Sequence, residues 1–173
     1  MTTIAIKDGV MACDSRETQN NMIVSDKTWK IALANDAYYG FCGTSHHIEV
    51  VITAIRSSRD LEELSPDVEM EFLYMPKTGD SKLVTLGSGH LSYETLTGPY
   101  AIGSGMPYAM VAMSCGKSAV EAVKEAIKWD CFSGGKVKSY SFNKPKAAKK
   151  VKKPKAVDVG VFDDWEEGMD DKA

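Results

Sequence analysis

The chain has 173 residues, of which 43% are hydrophobic, and a formal net charge of −3. That length suits one domain with a real core plus an appendage, and no apolar run is long enough to span a membrane. The first residues lack the basic-then-apolar pattern of a secretory signal, and Cys13, Cys42, Cys115 and Cys131 show no CxxC spacing. They read as reduced thiols in a cytoplasmic protein, not as a zinc site.

In chain order, residues 3–7 and 10–13 are short apolar runs around Lys7-Asp8-Gly9 and predict a tight β-hairpin. Further short extended segments follow near 22–24 and 28–34. Residues 37–43 then read as a strand that ends in a glycine-bounded turn. From Ser45 to Ser57 the residues Ile48, Val51, Ile52 and Ile55 fall at i, i+3, i+4 and i+7, which predicts a helix with one buried face. Residues 58–64 have room for about one turn before Pro66. Strands are predicted at 68–75, 82–86 and 91–96, and as consecutive strands they should pair antiparallel. Pro107 suits the first turn of a helix interrupted at Gly116. Ser118 and Glu121 form a capping box for a second helix reaching Trp129, and a last strand is expected at 136–142.

Charge divides the chain. Residues 1–135 carry 11 basic and 17 acidic side chains, residues 136–155 carry nine Lys and no acid, and residues 158–173 carry seven acids and one Lys. The expected organisation is a globular domain over 1–142, a Lys/Pro/Ala-rich extended linker over 143–157 and an acidic tail over 158–173. The tail carries Phe162 and Trp165 among its acids, an aromatic anchor suited to docking a partner.

The chemistry starts at Met1-Thr2-Thr3. An initiator Met before a small residue is normally removed. Thr2 would then hold a hydroxyl and a free α-amine on one residue, a nucleophile with its own base. An α-amine has an ordinary pKa of about 7.7–8.0 and accepts a proton near neutrality.

Several segments, in order, resemble the proteasome β-subunit and HslV-type family of N-terminal nucleophile threonine peptidases. They are Thr2-Thr3-Ile4, Lys7–Val10 with Asp14–Thr18, Lys30-Ile31, Gly40-Phe41-Cys42-Gly43, residues 101–108 (AIGSGMPY) and residues 130–135 (DCFSGG). The last two are the specific ones. The resemblance implies an α+β fold, a four-layer αββα sandwich of two antiparallel sheets, with one helix layer reduced because the chain has one helix after Gly43 where the family has two.

It also implies roles. Thr2 would attack, Lys30 would lower the pKa of its hydroxyl, and Asp14 would hold Lys30 charged and oriented. Ser104, Asp130 and Ser133 would surround the Thr2 amine. The Gly40 N–H would serve the oxyanion hole, and Thr18 with Gly40 would pair with an extended substrate backbone. No cofactor is required by this chemistry, although a monovalent cation bound by main chain near Trp129, Phe132 and Gly135 is compatible with the resemblance. The implied partners are a peptide or protein substrate, further copies in a ring and an ATPase unfoldase.

Each residue also has a plain structural reading: Asp14 as a turn acid, Lys30 as a solvated strand end, residues 133–135 as a helix stop. His46, His47 and His90 match no catalytic position. Three functions therefore stand at this point. The first is a threonine-type endopeptidase subunit within an oligomeric chamber, and the second a catalytically silent structural subunit of the same fold. The third, charge-driven nucleic-acid binding through the Lys run, ranks last, because the acidic tail can neutralise the run and no aromatic residue lies within it to stack bases.

Overall fold

The computed structural model describes residues 2–142; Met1, the 143–157 linker and the 158–173 tail with Phe162 and Trp165 lie outside the described residues. In chain order the strands and helices are β1 (Thr3–Lys7), β2 (Val10–Cys13), β3 (Glu17–Gln19), β4 (Met22–Ser25), β5 (Ile31–Ala34), β6 (Ala37–Cys42), α1 (Ser45–Arg56), β7 (Met70–Pro76), β8 (Lys82–Gly87), β9 (His90–Thr95), β10 (Tyr100–Gly103), α2 (Met106–Ser114), α3 (Ala119–Trp129) and β11 (Lys138–Tyr140). A single 3₁₀ turn, Leu61–Glu63, follows α1. All pairings are antiparallel. One sheet has the order β10-β1-β2-β11, a second runs β5 to β9 in sequence, and β3-β4 is a separate hairpin.

Local sequence explains most of these elements. Asp8 and Gly9 both take positive φ, 51° and 70°, as a two-residue hairpin loop of right-handed twist demands. The α3 N-terminus carries both halves of the Ser118/Glu121 capping box, and Pro107 sits in the first turn of α2. The predicted helix over 45–57 is α1, with Val51, Ile52, Ala54 and Ile55 buried. Two strands were not expected. β3 is only three residues long and polar, and β10 exists because it pairs with β1, about a hundred residues away, with Thr3 opposite Gly103. The segments expected at 28–34 and 136–142 shorten to β5 and β11.

Strand alternation sorts the side chains into three apolar layers. In the four-stranded sheet Ile4, Ile6, Met11, Cys13 and Ile102 face the other sheet, where they meet Ile31, Leu73, Met75 and Leu83. The opposite face of that sheet is alanine, namely Ala5, Ala12 and Ala101, packed on Ala109, Ala112, Ala119, Ala122 and Ala126 of α2 and α3. On the far side of the five-stranded sheet Phe41, Phe72 and Val84 pack under α1 and the 3₁₀ turn. Helices thus cover both outer faces of two stacked sheets, two helices on one side and one helix on the other. This is the αββα sandwich with a reduced helix layer that the resemblance implies.

Among the described residues no helix is long and apolar enough to cross a membrane. The four cysteines are free. Cys13 is fully buried, and burial, with the Asp14 carboxylate beside it, pushes its thiol up to about 12.

Candidate active site

The end of β2 buries a carboxylate. Asp14 is fully buried and accepts four hydrogen bonds, which fills the lone-pair positions of its two oxygens. Oδ1 takes the Thr3 N–H at 3.0 Å and the Lys30 ammonium at 2.7 Å. Oδ2 takes the Arg16 N–H at 3.1 Å and the Gly134 N–H at 2.9 Å. The carboxylate therefore ties β1, the approach to β5 and the turn after α3 together. Lys30 is itself 6% exposed, so Asp14 sets the position of a buried positive charge. The readings of Asp14 as a simple turn acid and of Lys30 as a solvated strand end do not hold.

A second cluster lies behind the Thr2–Thr3 segment. Asp130, the C-cap of α3, receives the Ser104 hydroxyl at 2.7 Å and the Ser133 hydroxyl at 2.6 Å, both on Oδ2. Ser133 also shares a 2.5 Å hydrogen bond with the Thr3 hydroxyl, and the Ser104 hydroxyl lies 3.4 Å from the Thr2 carbonyl. The three residues expected to gather do gather. Among the described residues, however, their bonds reach the Thr2 carbonyl and the Thr3 side chain, not the Thr2 nitrogen. That nitrogen, joined to Met1, is an amide with no lone pair to accept a hydroxyl.

Two glycines permit this approach. Gly103, at φ +91°, lies where a Cβ would strike the Thr2 carbonyl, and a Cβ at Gly105 would strike the Thr3 hydroxyl. Thr3 is thereby locked. Thr2, itself 6% exposed, instead lines a cleft of about 820 Å³ together with Lys30, Thr18, Phe41, Gly43, Thr44 and other residues from β3, the approach to β5 and the start of α1.

Gly40 is set back from this wall. It does not line the cleft. It lies in the middle of β6, opposite Ile31 and Leu73, and a Cβ there would come within 2.9 Å of Ile4 and 2.8 Å of the Met11 sulfur. Gly40 is a glycine because the two sheets meet over it. Gly43, three residues on at the end of the strand and with φ +144°, is the glycine beside Thr2 in the cleft. Trp129, Phe132 and Gly135 fall at the end of α3 and on the turn that follows, next to Asp130. Among the described residues no group of His, Cys, Asp or Glu is arranged to hold a metal ion.

No protein-family model and no curated protein matches the chain. Solved structures do. The eukaryotic HslV from Trypanosoma brucei superposes with a TM-score of 0.61 at 17% identity, over 80% of this chain and 97% of that one. The chain has the HslV fold. Thiobacillus denitrificans BPH matches at TM-score 0.60 and 20% identity, over 80% of this chain and 95% of that one. The same protein in complex with epoxomicin matches at 0.63 and 20%, over 83% and 99%.

The alignments cover 95–99% of these neighbours' own lengths, so the HslV fold is matched across nearly the whole of each. Within it the sequence located Thr2, Asp14, Lys30, Ser104, Asp130 and Ser133 at one end of the sandwich. It missed Glu17, Trp29, Gly43 and Thr44, which line the cleft. For Gly43 a signal existed, since it closes the same Gly40–Gly43 segment. Counting the strand alternation from Phe41 would have turned Gly40 into the sandwich.

Proposed function

We propose that the chain is a threonine-type endopeptidase subunit with Thr2, freed of Met1, as its nucleophile. The observation that carries this reading is the placement of Thr2, which lines an open cleft together with Lys30, an ammonium held by a buried and fully bonded Asp14. The Thr2 Oγ attacks the substrate carbonyl carbon while the Thr2 amine takes the hydroxyl proton, directly or through a water. The amine returns that proton to the leaving amine as the peptide bond breaks, and water then hydrolyses the ester left on Oγ. The Lys30 charge favours the developing alkoxide. The Gly43 N–H, in place of that of Gly40, is offered to the oxyanion; one such donor is worth about 2.7–4 kcal/mol in the transition state. Thr18, at the cleft wall, bonds the extended substrate backbone.

Two measurements test the reading. Intact mass of the purified protein should lack Met1, and a peptide epoxyketone should add once per chain, on Thr2. Retained Met1 with no adduct would leave the silent structural subunit as the function.

Assembly belongs to the same proposal. Met22, Ile23 and Val24 are three consecutive apolar residues, each more than half exposed, on a hairpin whose other strand borders the cleft. An apolar run like this on a two-stranded hairpin suits burial against another copy. The wild-type chain should therefore sediment as an assembly of several copies, and Ile23→Glu should shift it to a smaller species. A monomeric wild type would defeat this part of the proposal. The tail with Phe162 and Trp165 is offered as the docking element for an ATPase unfoldase, and a monovalent cation as a ligand of the turn after α3. The free cysteines suit a cytoplasmic setting.

A further inference from the structure

Resting on the peptidase reading, we infer that the cleft selects peptides with a cationic side chain on the acyl side of the cleaved bond, with Glu17 and Glu49 as the groups that determine the choice. The argument is an inventory of charge. Among the described residues, four charged side chains line the cleft: Arg16, Glu17, Lys30 and Glu49. Both cations are already matched. Lys30 is held by Asp14 at 2.7 Å. The Arg16 guanidinium is forked onto Asp26, with Nε 2.9 Å from Oδ1 and Nη2 3.4 Å from Oδ2, and Nη1 reaches the Cys131 carbonyl at 3.3 Å. That fork holds the Asp26 carboxyl below its ordinary range.

The two acids are not matched in this way. Glu17 receives the Thr28 hydroxyl at 2.8 Å and the Ser45 hydroxyl at 3.3 Å. Both donors are neutral, so they fix the carboxylate in place without cancelling its charge. Glu49, on α1, has no ion pair among the described residues, and it shares the cleft wall with the apolar Ile48 and Phe41.

This combination fits Lys or Arg. The aliphatic stem lies along the half-buried Ile48 while the charged head reaches the carboxylates, the way long basic side chains ordinarily bury their stems. An acidic substrate side chain would face two like charges in a partly enclosed cleft, where water screens less than in bulk. One further cation is close by. Lys138 lies 4.4 Å from the centroid of the Trp29 ring, but its ammonium is turned to the main-chain carbonyls of Lys27 and Thr28, at 3.4 and 3.3 Å, and it does not line the cleft.

The test uses the full assembled protein and three fluorogenic peptides that differ only in the residue before the cleaved bond: Arg, Leu or Asp. The expected order of kcat/KM is Arg, then Leu, then Asp, with Arg at least about tenfold above Leu at low salt and the margin narrowing as salt is added. Glu17→Gln keeps the shape of the side chain, and Glu49→Lys changes an exposed helix position that tolerates it. Each should lower the Arg-to-Asp ratio at least about tenfold. A preference for Leu or Asp, or a ratio that neither substitution moves, overturns the selectivity. If the epoxyketone still labels Thr2 in that case, only the selectivity falls. If the chain neither cleaves a peptide nor labels, both readings fall together.

Discussion

Thr2→Ala is expected to lower peptidase activity by at least about a thousandfold and to abolish labelling by a peptide epoxyketone, while leaving the fold intact. The size of the loss follows from the role. Removing a covalent nucleophile takes away the whole acyl-enzyme route, and what remains is binding and oxyanion stabilisation. The fold should survive because Thr2 lines the cleft and its side chain makes no hydrogen bond to another of the described residues. Thr2→Ser keeps both the hydroxyl and the amine and should retain measurable turnover. Thr3→Ala gives the contrast. The Thr3 hydroxyl is fully buried against Ser133, so its loss should show mainly in stability. Full activity in a correctly folded Thr2→Ala protein, measured against wild type with the same substrate, would end the nucleophile assignment.

The second large effect is at Asp14. Asp14→Ala should lower the free energy of unfolding by about 3–5 kcal/mol, read from urea titration at an unchanged m-value. The substitution leaves the Lys30 ammonium buried without its carboxylate and strips a partner from the N–H groups of Thr3, Arg16 and Gly134. With stabilities of typical domains at about 5–15 kcal/mol, that is a large share of the total. Asp14→Asn should recover little, because its amide group presents two donors to a site built from donors. A loss below about 1 kcal/mol would mean that Asp14 does not hold this end of the sandwich together.

Legibility in the sequence followed the range of the interaction. Asp8-Gly9, the 48/51/52/55 stripe and the Ser118/Glu121 box act within one turn or helix, and each produced the element expected of it. β10 did not announce itself, because a four-residue strand between a glycine-proline turn and Gly103 is decided by its pairing with β1. The roles of Gly40 and Gly43 depend on which face of β6 turns toward the other sheet. The charge of the cleft was also hidden. Arg16-Glu17 reads as a neutral pair in the linear chain, and only the fold separates them by giving Arg16 to Asp26 and leaving Glu17 to hydroxyls.

The alanine layer under α2 and α3 has a mechanical consequence. Ser104 and Gly105 lead directly into α2, and Asp130 closes α3, so the seating height of the helix pair sets the alignment of Ser104 and Asp130 against the Thr2–Thr3 peptide. Alanine methyl groups dominate that seam, with Met113 and Val123 beside them, and they act as a shim of small thickness. Any thicker side chain at Ala122 or Ala126 would lift a helix and tilt the cluster at its end, so the alignment of this end of the sandwich is written partly into residues that never touch the cleft.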